Sequence, residues 1–208
     1  LSKTLSWLLR HGAQSEKLPM RADGFVRVQD LVSAPALATP KLAAQLDWPA
    51  LQRIVAADTK QRYTLLSEPP SDAAASADAI WWIKANQGHS IKARPAPIPT
   101  PTTSPRMSPI TSPTDVPMAV HGTTRKAWQS ISRQGLSRMS RNHIHLAQGI
   151  PGDGIISGMR ASAQILIHID LPKALAAGIP FSLSDNGVVL SAGDARGFLH
   201  PAFFSRVE

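Results

Sequence analysis

The sequence contains no cysteine, and this absence excludes disulfides and thiolate metal sites. Nothing else in the composition indicates secretion. A long apolar run is also missing from the start of the chain, since the apolar turn at 5–9 ends at Arg10 and His11. That turn is too short for a signal peptide or a membrane span. We therefore expect an intracellular globular protein, nuclear or cytoplasmic, that does not bind a membrane.

Acidic residues are scarce: 14 Asp and Glu stand against 22 Lys and Arg, giving a net charge of +8. Between Asp115 and Asp153 there is no carboxylate, although five cations lie there: Arg125, Lys126, Arg133, Arg138 and Arg141. Such an excess favours a polyanionic partner, through charge attraction and counterion release. Total composition alone leaves a merely soluble basic protein as an alternative. The uneven distribution favours an anion-facing surface.

A proline-rich stretch divides the chain into two parts. From Arg94 to Pro117 nearly every third or fourth residue is proline, with serine and threonine between. This composition cannot bury a core and predicts an extended, semi-rigid linker. We therefore predict a first lobe at 1–93, a linker at 94–118 and a second lobe at 119–208.

The first lobe begins with a predicted amphipathic helix, which buries four leucines on one face: Leu1, Leu5, Leu8 and Leu9. Gly12 suits its C-terminal cap. Asp47 can start a later helix, and strands at 62–66 and 80–85 close the lobe. This order of elements is winged-helix-like, a scaffold common among nucleic-acid-binding proteins, although a fold alone does not establish function.

The second lobe alternates strands and helices. A strand at 119–122 leads into a helix that begins near Thr124 and ends at Gly135. Residues 143–146 alternate like a strand, and Asn186-Gly187 predicts a hairpin turn. The fold class predicted for the whole chain is therefore α+β.

Two polar clusters of the first lobe could carry chemistry. On a helical wheel, one side of the first helix collects Lys3, Trp7, Arg10 and His11. The second cluster ends a strand in a glycine turn whose side chains can bind phosphate or sugar oxygens: Lys84, Asn86, Gln87, His89 and Ser90. An ordinary basic surface and a decorated strand end are the alternatives.

Two further clusters lie in the second lobe. His121-Gly122-Thr123 precedes a helix whose N-terminus attracts anions such as a pyrophosphate. Arg141 has no local carboxylate to pair with, which favours phosphate binding. His143 and His145 share a strand face, but no acidic residue lies nearby, so we expect no metal.

Taken in order, these segments resemble the RNA 2′-phosphotransferase family. The resemblance covers most of the chain, and six motifs in the right order make it specific. The matching segments are Leu5-Ser6-Trp7-Leu8-Leu9-Arg10-His11, Arg21-Ala22-Asp23-Gly24-Phe25-Val26, Ala85-Asn86-Gln87-Gly88-His89-Ser90, His121-Gly122-Thr123, Met139-Ser140-Arg141-Asn142-His143-Ile144-His145-Leu146 and Ser184-Asp185-Asn186-Gly187-Val188.

The resemblance implies a winged-helix first lobe, an ADP-ribosyltransferase-like second lobe and a reaction with NAD⁺ in two steps. In the first step the 2′-phosphate of the RNA attacks C1 of the nicotinamide ribose and expels nicotinamide. The neighbouring ribose hydroxyl then attacks phosphorus, releasing dephosphorylated RNA and ADP-ribose 1″,2″-cyclic phosphate. Spliced tRNA is the expected substrate, NAD⁺ the co-substrate, and the expected state is a monomer without a metal.

Carried over by resemblance, the catalytic residues are Arg10, His11, Lys84 and Arg141. Lys84 stands where the family usually has arginine, and a lysine lacks the bidentate fork of a guanidinium. The residues implied for NAD⁺ are His121, Gly122, Thr123, His143, Asn186, Gly187 and Val188. Those implied for RNA or phosphate are Gln87, His89 and Ser90.

A catalytic glutamate of the usual ADP-ribosyltransferase kind is missing, since Glu208 is the only glutamate of the second lobe. A phosphate nucleophile is already anionic and needs no base, so this absence is compatible with the reaction. Two alternatives stay open at this point. One is ADP-ribosylation of terminal phosphates of RNA or DNA, and the other is a non-catalytic RNA-binding module.

Overall fold

The computed structural model describes residues 1–37, 46–69, 79–91, 107–150, 159 and 162–208. The chain divides into two compact units, Leu1–Pro105 and Arg106–Glu208. Each unit combines helices with antiparallel sheet, so the predicted α+β class is confirmed.

The elements described in the first unit are α1 (Ser2–Trp7), a π-helical turn (Leu8–Gly12), β1 (Val26–Arg27), α2 (Val28–Val32), α3 (Trp48–Ala56), β2 (Tyr63–Glu68) and β3 (Ile80–Ala85). The helices pack against a three-stranded antiparallel sheet of order β1-β3-β2. The core is formed mainly by leucines and by residues of β3.

The first helix buries Leu5, Leu8 and Leu9 completely, which confirms its predicted apolar face. The prediction that Gly12 caps this helix is wrong. The backbone stays helical through Gly12 to Ala13, whose φ is −57° and ψ is −37°. A Cβ on Gly12 would lie 2.6 Å from the ring of Trp7, so the glycine makes room for the indole instead of ending the helix.

The elements described in the second unit are β4 (Ser108–Ile110), a 3₁₀ turn (Pro113–Asp115), β5 (Val120–Thr123), α4 (Arg125–Gln134), β6 (Leu136–Ser137), β7 (Ile144–Leu146), β8 (Ile165–Ile169), α5 (Leu171–Ala176), β9 (Phe181–Leu183), β10 (Val189–Ser191), β11 (Phe198–Leu199), a second 3₁₀ turn (Pro201–Phe203) and β12 (Phe204–Val207). They form a four-stranded sheet of order β4-β9-β10-β7, a three-stranded sheet of order β12-β8-β5 and a separate β6–β11 pair. Two backbone hydrogen bonds of 2.9 and 2.7 Å between Val120 and Ala147 connect β5 with the end of β7.

The ends of α4 follow from the local sequence, as predicted. The hydroxyl of Thr124 accepts a hydrogen bond from the Ala127 backbone at 3.2 Å and caps the helix start. Gly135 ends the helix with φ at +94°, a conformation that favours glycine.

The predicted linker at 94–118 differs from the structure at its C-terminal side. Residues 94–106 lie outside the described ranges, but from residue 107 onwards the chain belongs to the second unit. There β4 pairs with β9, and Ile110 is buried. Composition misses this strand because β4 lies at the edge of its sheet, where a proline such as Pro109 is tolerated.

Candidate active site

A basic cavity of about 390 Å³ opens beside the first helix. Four of its residues are those that the helical wheel places on one face: Lys3, Trp7, Arg10 and His11. Ser2, Ser6 and Arg62 complete the lining, which contains no carboxylate among the described residues. The cavity therefore concentrates positive charge and suits an anion.

Hydrogen bonds to Tyr63 anchor the first helix beside the cavity. The hydroxyl of Ser6 hydrogen-bonds the hydroxyl of Tyr63, which in turn lies 3.2 Å from the Ser2 carbonyl. Arg10 and His11 both lie in the π-helical turn. Turns of this kind are rare and occur frequently at functional sites.

The loop after β3 packs onto the Arg10–His11 pair. The Ser90 amide donates to the Arg10 carbonyl at 3.0 Å, and the Ser90 hydroxyl lies 2.8 Å from Nδ1 of His11. Gly88 has φ at +86°, and a Cβ there would lie 3.5 Å from the Arg10 side chain. The structure thus brings the two polar clusters of the first unit together.

The remaining side chains of this loop have different surroundings. Asn86 fixes the loop to the start of β2, because its amide donates to Gln61 at 2.8 Å and accepts from Thr64 at 2.6 Å. Nε2 of His89 lies near Gly24, at 3.7 Å from the position that a Cβ would take. Gln87 is half-buried. Asn86 is therefore structural, Ser90 contacts both Arg10 and His11, and His89 lies beside Gly24.

Lys84 is buried, with only 6% of its surface exposed. Its Nζ lies 5.0 Å from the ring centroid of Phe25, and it is not among the described residues that line the cavity. Arg62 lies in the cavity instead and pairs with Asp58. Arg62 was not among the residues that the sequence singled out. The sequence feature that could have indicated it is a cation directly before a strand; the preceding residue, Gln61, has a φ of 44° and turns the chain there.

In the second unit, His121 is held in a defined tautomer. Its Nδ1 lies 3.0 Å from the carbonyl of His145, and since a carbonyl only accepts, Nδ1 carries the proton. Burial lowers the pKa of His121; the hydrogen bond to His145 opposes this effect, and the positive charge of Arg141 adds to it. The imidazole is therefore neutral at pH 7, and its Nε2 is an acceptor. The charge of Arg141 thus acts on His121 within the second unit.

The other predicted NAD⁺ residues near His121 in the sequence are packed or buried to different degrees. The side chain of Met159 occupies the space that a Cβ on Gly122 would need, with Cγ at 2.4 Å. Thr123 is buried. Burial also lowers the pKa of His143, and there the additional positive charge is that of Arg138.

Three predicted NAD⁺-wall residues form the turn between β9 and β10. Asn186 and Val188 are buried, and Gly187 has φ at +74°. The Ser184 hydroxyl accepts from the Val188 amide at 2.9 Å and lies 2.9 Å from Oδ1 of Asn186. The side chain of Asn186 and the backbone of Val188 therefore support the turn itself, and Gly187 presents only backbone.

Two features are absent from the described ranges. Within them, no group of three or more His, Asp or Glu side chains is arranged to hold a metal ion. No helix in the same ranges has the length and apolar character needed to cross a membrane.

Comparison with known proteins identifies the chain. A family model described as RNA 2′-phosphotransferase, Tpt1 / KptA family, matches residues 1–193. The tRNA 2′-phosphotransferase 1 of Danio rerio is 42% identical over 210 residues, which cover 100% of this chain and 84% of that protein. The tRNA 2′-phosphotransferase 1 of Homo sapiens is 45% identical, with 98% and 73% covered. A probable RNA 2′-phosphotransferase of Rhizobium leguminosarum is 28% identical, with 97% and 92% covered.

These findings define the protein first as an enzyme of the transferase class. More particularly, the chain belongs to the RNA 2′-phosphotransferase family, as its motifs predicted.

Proposed function

We propose that the protein removes the 2′-phosphate from spliced tRNA by transferring it to NAD⁺. The observation that carries this proposal is the cavity in which Arg10, His11 and Arg62 come together without a lining carboxylate among the described residues. Guanidinium groups bind phosphate with two parallel hydrogen bonds, so such a cavity suits a phosphate monoester. The relatives named tRNA 2′-phosphotransferase support the choice of substrate.

Each unit receives a role in this proposal. The first is a winged-helix-like RNA-binding lobe, supported by its helices and its β1-β3-β2 sheet. The second is an ADP-ribosyltransferase-like lobe for NAD⁺, supported by the polar strand β5 and the helix that follows it.

The cavity residues act on the phosphate. Arg10 and Arg62 hold and orient it, and Arg62 takes the role that the sequence assigned to Lys84. The burial of Lys84 against Phe25 supports this exchange, since a buried ammonium is not placed to reach a bulky substrate. His11, held by Ser90, moves the proton in the second step.

The residues of the second unit act on NAD⁺ and on the developing charge. Nε2 of neutral His121 accepts a hydrogen bond from a ribose hydroxyl. Thr123 and the N-terminus of α4 suit the pyrophosphate. Arg141, which is exposed and electrostatically coupled to His121, stabilises negative charge at phosphorus. His143 and the Gly187 backbone lie at the margin of this site.

The chemistry then needs little more than positioning. An anionic phosphate oxygen forms a bond to the ribose C1 while the bond to nicotinamide breaks. The adjacent ribose hydroxyl next attacks phosphorus, and the RNA 2′-oxygen leaves and takes up a proton. Fixed cations lower the barrier of both steps because they need no reorganisation.

The deciding experiment incubates the full chain with NAD⁺ and an oligonucleotide that carries an internal 2′-phosphate. We expect nicotinamide and ADP-ribose 1″,2″-cyclic phosphate as products. A stable ADP-ribosylated strand would instead indicate terminal-phosphate modification that stops after the first step. No product, together with a melting temperature that excess NAD⁺ does not raise, would indicate a non-catalytic RNA-binding module.

A further inference from the structure

Trp7 exposes a large apolar surface inside a basic cavity. It is 41% exposed and lines the cavity together with Lys3, Arg10 and His11. Trp7 is not among the described residues that pack against the core cluster of its unit; its ring lines the cavity instead. Its position calls for a flat, partly apolar ligand group beside the phosphate.

The indole ring of Trp7 packs directly over Gly12. Three of its ring atoms lie 2.6 to 2.8 Å from the point where a Cβ of Gly12 would be. Any side chain at this position would push the ring away. Gly12 therefore fixes where the aromatic surface lies, and the surface is preorganised for stacking.

Lys3 lies four residues before Trp7, so the two side chains are neighbours on the helix surface. Arg10 lies three residues after Trp7 and neighbours it on the other side. An aromatic ring between two cations is the arrangement by which proteins bind single-stranded nucleic acid, with bases on the ring and phosphates on the cations.

We propose that Trp7 and Lys3 form a nucleobase subsite for the RNA substrate. Trp7 stacks on the base of a nucleotide directly adjacent to the one that carries the 2′-phosphate, and Lys3 binds its phosphodiester. This inference rests on the proposed function and deepens it. Because every base has a flat π-face, the subsite demands a base but not a particular sequence.

The test compares oligonucleotides that share one internal 2′-phosphate. In separate arms, the base on its 5′ or its 3′ side is replaced by an abasic ribose. For the wild-type protein we expect KM to rise about 10- to 100-fold in one of these arms, as for loss of a stacked base. For Trp7→Ala the ratio of the two KM values falls to about one, and Trp7→Phe gives an intermediate ratio.

Gly12→Ala provides a second, independent variant. Its methyl group displaces the indole, so the same ratio falls although Trp7 is present. In a Trp7→Ala background the methyl has room, and Gly12→Ala then changes the ratio no further. Trp81→Ala is the matched control, since Trp81 is 37% exposed on β3 and lies outside the described lining of this cavity. It keeps the wild-type ratio.

The outcomes separate the two proposals. Equal KM values for intact and abasic substrates with a turning-over wild-type protein would overturn the subsite and leave the proposed function standing. A Trp7→Ala variant that loses the same factor on every substrate, with an unchanged melting temperature, would also overturn it. If the wild-type protein turned over none of them, the proposed function would fail, and the dissociation constants of the same oligonucleotides would decide on stacking alone.

Discussion

At the scale of single residues, the cavity depends on which cations reach it. Arg62 lines the cavity, with 37% of its side chain exposed, whereas Lys84 is buried over Phe25. We expect Arg62→Ala to lower kcat by roughly 100- to 1,000-fold, the effect of removing one preorganised charge-stabilising donor. Asp58, the ion-pair partner of Arg62, is only 6% exposed but keeps the backbone hydrogen bonds from Lys60 and Arg62, so we expect a loss of no more than about 1–3 kcal/mol of unfolding free energy.

Lys84→Ala is the matched counterpart of that variant. It removes a buried cation–π contact and its packing, so we expect about 1–3 kcal/mol less stability by urea denaturation. A Lys84→Ala protein of wild-type stability with no turnover would reverse the two assignments.

The ionisation of His121 gives a prediction with a definite sign. Burial and the charge of Arg141 lower the pKa of His121 below its ordinary value of about 6.5. Near pH 6 the unfolded chain therefore binds more protons at His121 than the folded protein does. The contribution of His121 to the free energy of unfolding is complete above pH 6.5 and is lost as the pH falls below this value. We expect Arg141→Ala to raise the pKa of His121, still below 6.5 because burial persists.

The measurement is an NMR titration of the imidazole carbon protons in both proteins, with urea denaturation at pH 7.5 and 5.5. An unchanged pKa in Arg141→Ala would show that the two side chains do not act on each other.

At the scale of elements, the β9–β10 turn depends on one buried hydroxyl. Ser184, 3% exposed, hydrogen-bonds both the amide and the carbonyl of Val188. Ser184→Ala leaves these buried groups without that partner, so we expect it to cost about 1–3 kcal/mol of unfolding free energy. Ser182→Ala, on β9 itself and with only an exposed contact, should stay within about 0.5 kcal/mol. Equal values for the two variants would contradict this role of Ser184.

The elements that local chemistry determines could be predicted from the sequence. Repeated leucines gave the buried face of the first helix, and Thr124 and Gly135 gave the ends of α4. Neither the π-helical turn nor the packing of Trp7 over Gly12 could be predicted, because no helical repeat of the sequence reveals them.

The burial of Lys84 could not be predicted for a related reason. Strand alternation predicts an outward side chain only where one face of a sheet meets water. At the end of β3, Ile83, Lys84 and Ala85 are all buried, so both faces are covered. The cover comes from elements distant in sequence, which one strand cannot report. The same applies to Arg62, whose place in the cavity depends on the first helix.

At the scale of the whole molecule, the two substrates call on different units. Arg10 belongs to the first unit, and every residue assigned to NAD⁺ belongs to the second. We expect Arg10→Ala to abolish RNA turnover while NAD⁺ still raises the melting temperature as in the wild type. At 100 times its dissociation constant, a ligand stabilises the folded state by about 2.7 kcal/mol.

His121→Ala should behave in the opposite way and lose most of the NAD⁺-dependent shift. Differential scanning fluorimetry of both variants with and without NAD⁺ checks this. A shift that disappears in Arg10→Ala would mean that the first unit also takes part in dinucleotide binding.

The division into two units was visible in the proline-rich composition, whereas the point of division was not. Along the chain, the boundary between the two units falls between residues 105 and 106, inside the proline-rich stretch. Composition reports which segments cannot form a core by themselves. It does not report that Ser108–Ile110 completes the edge of a sheet made by later strands.

The packing of Trp7 over Gly12 also limits how this enzyme could be engineered for heat resistance. A common stabilising change replaces a helical glycine with alanine and gains about 0.4–1 kcal/mol by restricting the unfolded chain. At Gly12 the new methyl would collide with the indole, so the usual rule fails there. A thermostability screen should therefore leave residues 7–12 untouched and seek its gains on α3, to which no substrate role is assigned, away from the trade-off between activity and rigidity.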